Sequence, residues 1–195
     1  MGRYVLSFTA CPMRRPECIT AARSYLELGD WKAVRSAIEK DDILMIRSES
    51  SRKRIGLEIV KRLKNLSDTE IERLAQCGDS QEQTALVWVA ICRTYEFIRD
   101  FLGDVVFVRW RDGLGNLPQG AYESYVGEAS VLHPELASIS DGTKTRLRNQ
   151  LFQMLREAGI IDADDVLQPC LLPFGMEERL APEERVFFPT ANLAE

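Results

Sequence analysis

The stretch SQEQTALVWVAICRTYEFIRDFLG (80–103) decides the fold class. Ser80 followed by Gln83 is a capping-box signature for a helix start. The spacing then predicts one long helix over 81–102, running on toward 110. It carries Leu86, Val89, Ala90, Arg93, Phe97 and Phe101. Apolar residues lie on nearly every side of it. A helix of that kind is buried by several neighbours, as the centre of a helical bundle is. Gly103 is its weak point, because glycine costs about 1 kcal/mol in a helix interior. The run is not a membrane span. Arg93, Glu96, Arg99, Asp100 and Asp104 interrupt it, and a spanning helix needs roughly 17–25 mostly apolar residues.

The flanking signals are also helical. A helix over 17–28 stops at Gly29, and Asp30 caps the next, over 31–40. Residues 43–49 read equally as strand or helix. Ser50 or Ser51 opens a basic helix over 51–65, and Ser67 with Glu70 opens another over 68–76. RDGLGNLPQG (111–120), with three glycines and a proline, is the clearest break. It divides an N-terminal helical bundle (1–112) from a smaller C-terminal unit (121–195). The latter reads as a short helix over 121–130, HPEL (133–136), a helix over 143–158, and an extended hairpin after Gly159. The expected fold class is mainly α.

Composition narrows function. The 195 residues are 45% apolar and 28% charged, with a net charge of −5. These are ordinary values for a globular chain. No secretory or membrane segment is read, so a soluble cytoplasmic protein is expected. The five cysteines have irregular spacing and no C-x-x-C, which supports neither disulfides nor zinc and favours buried thiols. The single histidine, His133, precedes Pro134 and reads as a packed turn residue. There is no G-x-S-x-G, H-E-x-x-H or Walker loop. GLG (113–115) lacks the rest of a dinucleotide fingerprint and reads as a turn. Asp41-Asp42 and Asp164-Asp165 read as caps and solvated charge. No enzyme activity, metal or cofactor is expected. With no heptad seam or large apolar patch, a monomer is the default.

The charge distribution carries the site. Residues 47–64 hold seven basic and two acidic side chains, a net of +5 in an acidic protein. With Ile55 at zero and about 100 degrees per residue, Ile59, Leu63 and Leu66 form a core stripe. Lys53, Arg54, Lys61 and Lys64 fall on the opposite arc, and Arg52 and Arg62 flank the stripe. Few of these cations have an in-helix partner. The residues leave two readings open. One is a solvated face neutralised by the acidic segment 160–195, whose net charge is −6. The other is a polyanion surface built from Arg47, Arg52, Lys53, Arg54, Lys61 and Lys64. A second candidate is the 143–158 helix, with stripe residues Leu147, Leu151, Met154 and Leu155. A helix, a glycine turn and a short hairpin resemble the end of a winged-helix module. Lys144, Arg146, Arg148 and Asn149 would then meet phosphates and base edges.

YVLSFTA (4–10), YLELGDW (25–31), RSESSRKR (47–54), CRTYEFIRDF (92–101), HPEL (133–136) and LFQMLREAGII (151–161) together resemble the BrxA family, the small core proteins of BREX phage-exclusion systems. The resemblance spans nearly the whole chain and rests on no catalytic motif. It implies a mainly helical protein with a NusB-like core and DNA binding in place of enzymatic activity. It also implies partnership with a methyltransferase, an ATPase and a phosphatase-like protein. Two other roles stay open beside duplex DNA binding: an adaptor for other BREX subunits, and RNA binding by a NusB-like surface.

Overall fold

The computed structural model describes residues 2–191. The chain is mainly α-helical and folds as two compact units. One runs from Ala10 to Thr94. The other joins the residues up to Thr9 with the chain from Tyr95 onward.

The first unit contains α1 (Arg15–Leu28), α2 (Trp31–Lys40), α3 (Glu49–Leu63), α4 (Asp68–Gln76) and α5 (Ser80–Thr94). Local chemistry sets their ends. Gly29 takes a left-handed conformation, φ 68°, and its N–H donates to Tyr25 O. That geometry disfavours any residue with a Cβ. The Asp30 carboxylate accepts from Ala33 N–H at 3.1 Å and starts α2. The α4 capping box is complete: Ser67 Oγ accepts from Glu70 N–H, and Glu70 Oε2 accepts from Ser67 N–H. Ser48, not Ser50 or Ser51, caps α3. Residues 43–48 are neither strand nor helix, and Glu49 already opens α3. They form a turn that follows Asp42, and both Asp42 and Met45 have positive φ.

The core of this unit is α5. Every residue from Ala85 to Cys92 is buried, including Trp88. The expected central helix is therefore present, but two of its details change. Asp79, not Ser80, caps it, its carboxylate accepting from Gln81 N–H at 2.8 Å. Gln83 turns away to donate to Cys77 O at 2.9 Å. The helix also stops at Thr94. Tyr95 is extended, φ −121° and ψ 96°, and fully buried.

Beyond that break, the second unit begins with α6 (Glu96–Phe101), a π-helical segment (Leu102–Phe107) and α7 (Val108–Arg111). Gly103 lies in the π segment, where a Cβ would stand 3.1 Å from Val186 Cγ2. The widened turn and the small residue let the C-terminal segment approach. Then come α8 (Gln119–Ala129), α9 (Pro134–Ser138) and α10 (Asp141–Glu157). Phe97 and Phe101 meet Tyr122 and Tyr125 edge-on or tilted, with ring centroids 5.3–6.2 Å apart.

The glycine-rich segment 111–120, read from sequence as a boundary, lies inside this second unit. Arg109 donates to Asn116 O at 2.6 Å, Leu117 N–H donates to Asp165 O at 2.8 Å, and Leu117 is buried. After Gly159, φ 75°, the chain makes the tight antiparallel turn expected there. It is held by Asp162 N–H to Val166 O and Gln168 N–H to Ile160 O. Its pairing consists of isolated bridges, and the described residues contain no β-strand. The acidic C-terminal segment is anchored by its apolar residues: Met176, Leu180, Phe187 and Phe188 are buried.

Candidate nucleic-acid interface

On α3, Ile55, Ile59 and Leu63 point inward and are buried, as is Leu66 just beyond the helix. Gly56 is buried with them, because a Cβ there would sit 2.7 Å from Ile38 Cγ2 on α2. This close approach fixes α2 against α3 and presents the other face of α3 outward.

The basic residues of this region divide by what they touch. Arg62 is fully buried and donates to Pro12 O at 2.6 Å and to Cys11 O. It is a structural clamp on the chain entering the unit. Arg52 folds back on the preceding turn, 3.0 Å from Asp42 Oδ2 and 3.3 Å from Ile46 O. Lys53 donates to Glu49 at 2.6 Å. That hydrogen bond, followed by the charge of the pair, lowers the Glu49 pKa and raises that of Lys53. Lys61 lies 3.1 Å from the buried Glu58. Arg47, Arg54 and Lys64 are exposed, and among the described residues none has a side-chain hydrogen bond or ion pair. Helical spacing places Arg54, Leu57, Lys61 and Lys64 on one side of α3.

Sequence reading passed over Lys40, exposed in the last turn of α2. The charge of neighbouring Glu39 reaches Lys53, so this turn lies beside the start of α3. Nothing in the α2 pattern marks Lys40; the signal is the α2–α3 packing itself.

On α10, Leu147, Leu151, Met154 and Leu155 are buried. Arg146, Asn149, Gln153 and Arg156 are exposed along the opposite arc. Here too part of the charge is occupied. Arg148 reaches Glu123 at 2.9 Å, Lys144 lies 3.6 Å from Asp141, and Arg156 meets Asp165. Arg146 curls to Gly142 O at 3.2 Å, leaving the rest of its guanidinium outward. The two candidate surfaces belong to different units: α3 to the first, α10 to the second.

The remaining groups are His133 and the cysteines. His133 is buried against the Tyr4 ring, centroids 3.6 Å apart, with Nδ1 at 3.3 Å from Glu135 Oε1. All five cysteines are free; Cys11, Cys18 and Cys92 are buried, and Cys77 and Cys170 are half-buried. Burial pushes the Cys18 thiol far up. Among the described residues, no group of three His, Cys, Asp or Glu side chains is placed to hold a metal. Among them, also, no helix is long and apolar enough to cross a membrane.

These features define a class: a mainly helical protein of two units, whose candidate site is a charged helix face. The BrxA family model matches residues 2–183, and the chain belongs to the BrxA family. It is 30% identical over 151 residues to the BREX protein BrxA of Escherichia coli O9:H4 (strain HS), covering 77% of this chain and 70% of that one. It is 25% identical over 159 residues to the BREX protein BrxA of Paramagnetospirillum magneticum, covering 82% and 79%. The crystal structure of an uncharacterized protein from Magnetospirillum magneticum shares the fold. Its TM-score is 0.81 at 21% identity, over 97% of this chain and 98% of that one.

Proposed function

We propose that this protein is a non-enzymatic, DNA-binding component of a BREX phage-defence system. It grips double-stranded DNA through phosphates and contributes little sequence preference of its own. Family membership supports the BREX role. The observation that carries the DNA reading is the set Arg47, Arg54 and Lys64: exposed cations on and beside α3 with no carboxylate against them. Unpaired positive charge on one face suits a polyanion better than a solvated surface. Arg54 and Lys64 are separated by about 15 Å along the helix axis, roughly four to five base-pair steps of duplex. Sequence recognition then belongs to a partner such as the BREX methyltransferase.

Salt-dependent binding to a random-sequence duplex tests this. Arg47→Ala, Arg54→Ala and Lys64→Ala together are expected to flatten the slope of log affinity against log salt by up to about 2.7, or roughly 0.9 for each phosphate no longer neutralised. Arg52→Ala, which removes a cation held by Asp42, is expected to leave the slope unchanged. Equal slopes for all three proteins would refute the reading. A structured RNA that displaces the duplex would redirect it to RNA. Loss of co-purification with other BREX subunits, at unchanged DNA affinity, would make the basic face an adaptor surface.

A further inference from the structure

Met45 lies in the turn that leads into α3 and is 91% exposed. A single exposed apolar residue is ordinary. This one is also strained. Among the described residues, four non-glycine residues have positive φ, and Met45, at 53°, is the only apolar one. Asp42, at 50°, is of a type that tolerates the left-handed region; methionine is not. Folding gains almost nothing from holding Met45 this way, because its side chain buries so little surface. Strain that stability does not explain points to a use.

The turn is a stiff mount. Met45 N–H donates to Asp42 O at 2.8 Å, and Ile46 N–H donates to Asp42 Oδ1 at 2.8 Å. The other Asp42 oxygen lies 3.0 Å from Arg52 on α3, which also donates to Ile46 O at 3.3 Å. Leu44, beside Met45 in the chain, is buried and anchors the turn. One carboxylate thus ties the backbone around Met45 to the helix that carries the open cations. The nearby acids are accounted for. Asp42 and Glu49 are engaged by Arg52 and Lys53, and exposed Asp41 is matched by exposed Lys40. Arg47, two residues beyond Met45, is exposed and has no side-chain hydrogen bond or ion pair among the described residues. An apolar side chain is therefore held out rigidly among cations. A duplex presents the complementary chemistry, an apolar base stack between rows of phosphates.

We infer, resting on the DNA reading above, that Met45 is an apolar wedge that enters between two base pairs and kinks the duplex gripped by Arg47, Arg54 and Lys64. Methionine is among the side chains that unstack a base step when inserted from the groove. The stiff mount matters, because a side chain free to swing away would be ordered only at the expense of affinity.

Energy transfer between dyes at the two ends of a short duplex reads the kink, and titrations at several salt concentrations read the phosphate contacts beside it. The full chain is expected to bend the duplex by roughly 20–90°. It should bind a duplex with one central mismatch about tenfold more tightly than the matched duplex, because a mismatch is already partly unstacked. Met45→Asn removes the wedge and relieves the strain. It should abolish both the bend and the mismatch preference, keep the parent's salt slope, and melt no lower than the parent. Met45→Leu should bend DNA as the parent does. So should Val131→Asn, which removes an exposed apolar side chain from the other unit. Salt-dependent binding by the parent without a bend would overturn the wedge and leave the DNA reading standing. A bend that persists in Met45→Asn, or is lost equally in Val131→Asn, would do the same. A parent that binds no duplex even at low salt would overturn both.

Discussion

The helices α3 and α10 look alike in sequence and differ in what their charges do. Each has an apolar stripe, a basic opposite arc and a serine cap. On α3 the neighbouring turn pairs Arg52 with Asp42 and the core buries Arg62, while Arg47, Arg54 and Lys64 stay open. On α10 the partners are distant acids, Glu123 and Asp165, and what stays open is Arg146 and Asn149. The lesson is that charge counted along a helix is not charge available to a ligand. Tertiary partners decide the difference, and pattern alone does not show them.

The largest effect is expected within α3. Arg62→Leu removes a buried guanidinium and leaves the carbonyls of Cys11 and Pro12 unsatisfied. A loss of about 2–5 kcal/mol is expected in urea unfolding. Lys64→Leu, two residues on and exposed, should change stability by less than about 0.5 kcal/mol. If both variants cost the same, Arg62 is not the clamp described.

The next effect concerns how α3 is presented. Gly56→Ala would place a Cβ 2.7 Å from Ile38 Cγ2. The gain in helix propensity, about 1 kcal/mol, is opposed by overpacking of about 1–3 kcal/mol. A net loss of stability is expected in the same unfolding assay, and a smaller one in an Ile38→Leu background, which lacks the Cγ2 branch. A stabilised Gly56→Ala would mean that α2 and α3 do not approach as closely as described.

A smaller effect appears on acidification. Burial alone would raise the Glu70 pKa, but hydrogen bonds from Arg93 and from the Ser67 N–H outweigh it and hold the group below the usual carboxylate range. A depressed folded pKa contributes stability above the unfolded value, about 4.3. That contribution is lost as pH falls through the folded value. The stability difference between the parent and Glu70→Gln should therefore be largest at neutral pH and shrink below about pH 4. A difference that stays constant with pH would remove the charge from the explanation.

What the sequence made legible was local. Gly29, Asp30 and the Ser67–Glu70 box act within one turn of themselves, and each does what its chemistry predicts. The α3 and α10 stripes are equally local, set by helical period. The misses are tertiary. Nothing near Tyr95 breaks a helix by propensity; the break accompanies burial of its ring against Phe8. The glycines of 111–120 do mark turns, but Leu117 and Asn116 tie that loop into one unit. The sequence pointed to Ser50 or Ser51 as the start of α3, and the Asp42–Arg52 contact that accompanies the actual cap, Ser48, involves a turn of indeterminate pattern. The surface chemistry of Arg47, Arg54 and Lys64 was legible as charge, and their freedom from partners was not.

The smallest expected effect tests that last distinction on α10. If this helix meets DNA as well, its contact must come from Arg146 and Asn149, because Arg148 is already held by Glu123. Arg146→Ala should lower the salt slope by about 0.9 if Arg146 meets a phosphate. Asn149→Ala should leave the slope alone and relax any preference for adenine, since an amide reads base edges without releasing counterions. Arg148→Ala should change neither. Because the Glu123–Arg148 pair is partly exposed, its loss should also cost little stability, within about 1 kcal/mol. The decisive comparison is Arg146 against Arg148, two arginines two residues apart on one helix. Equal loss of binding from both would mean that a ligand-bound α10 breaks the Glu123 pair, and charge counted from sequence would then be the better guide after all. An effect confined to Arg146 would leave tertiary pairing as the rule that sorts the basic residues of both helices.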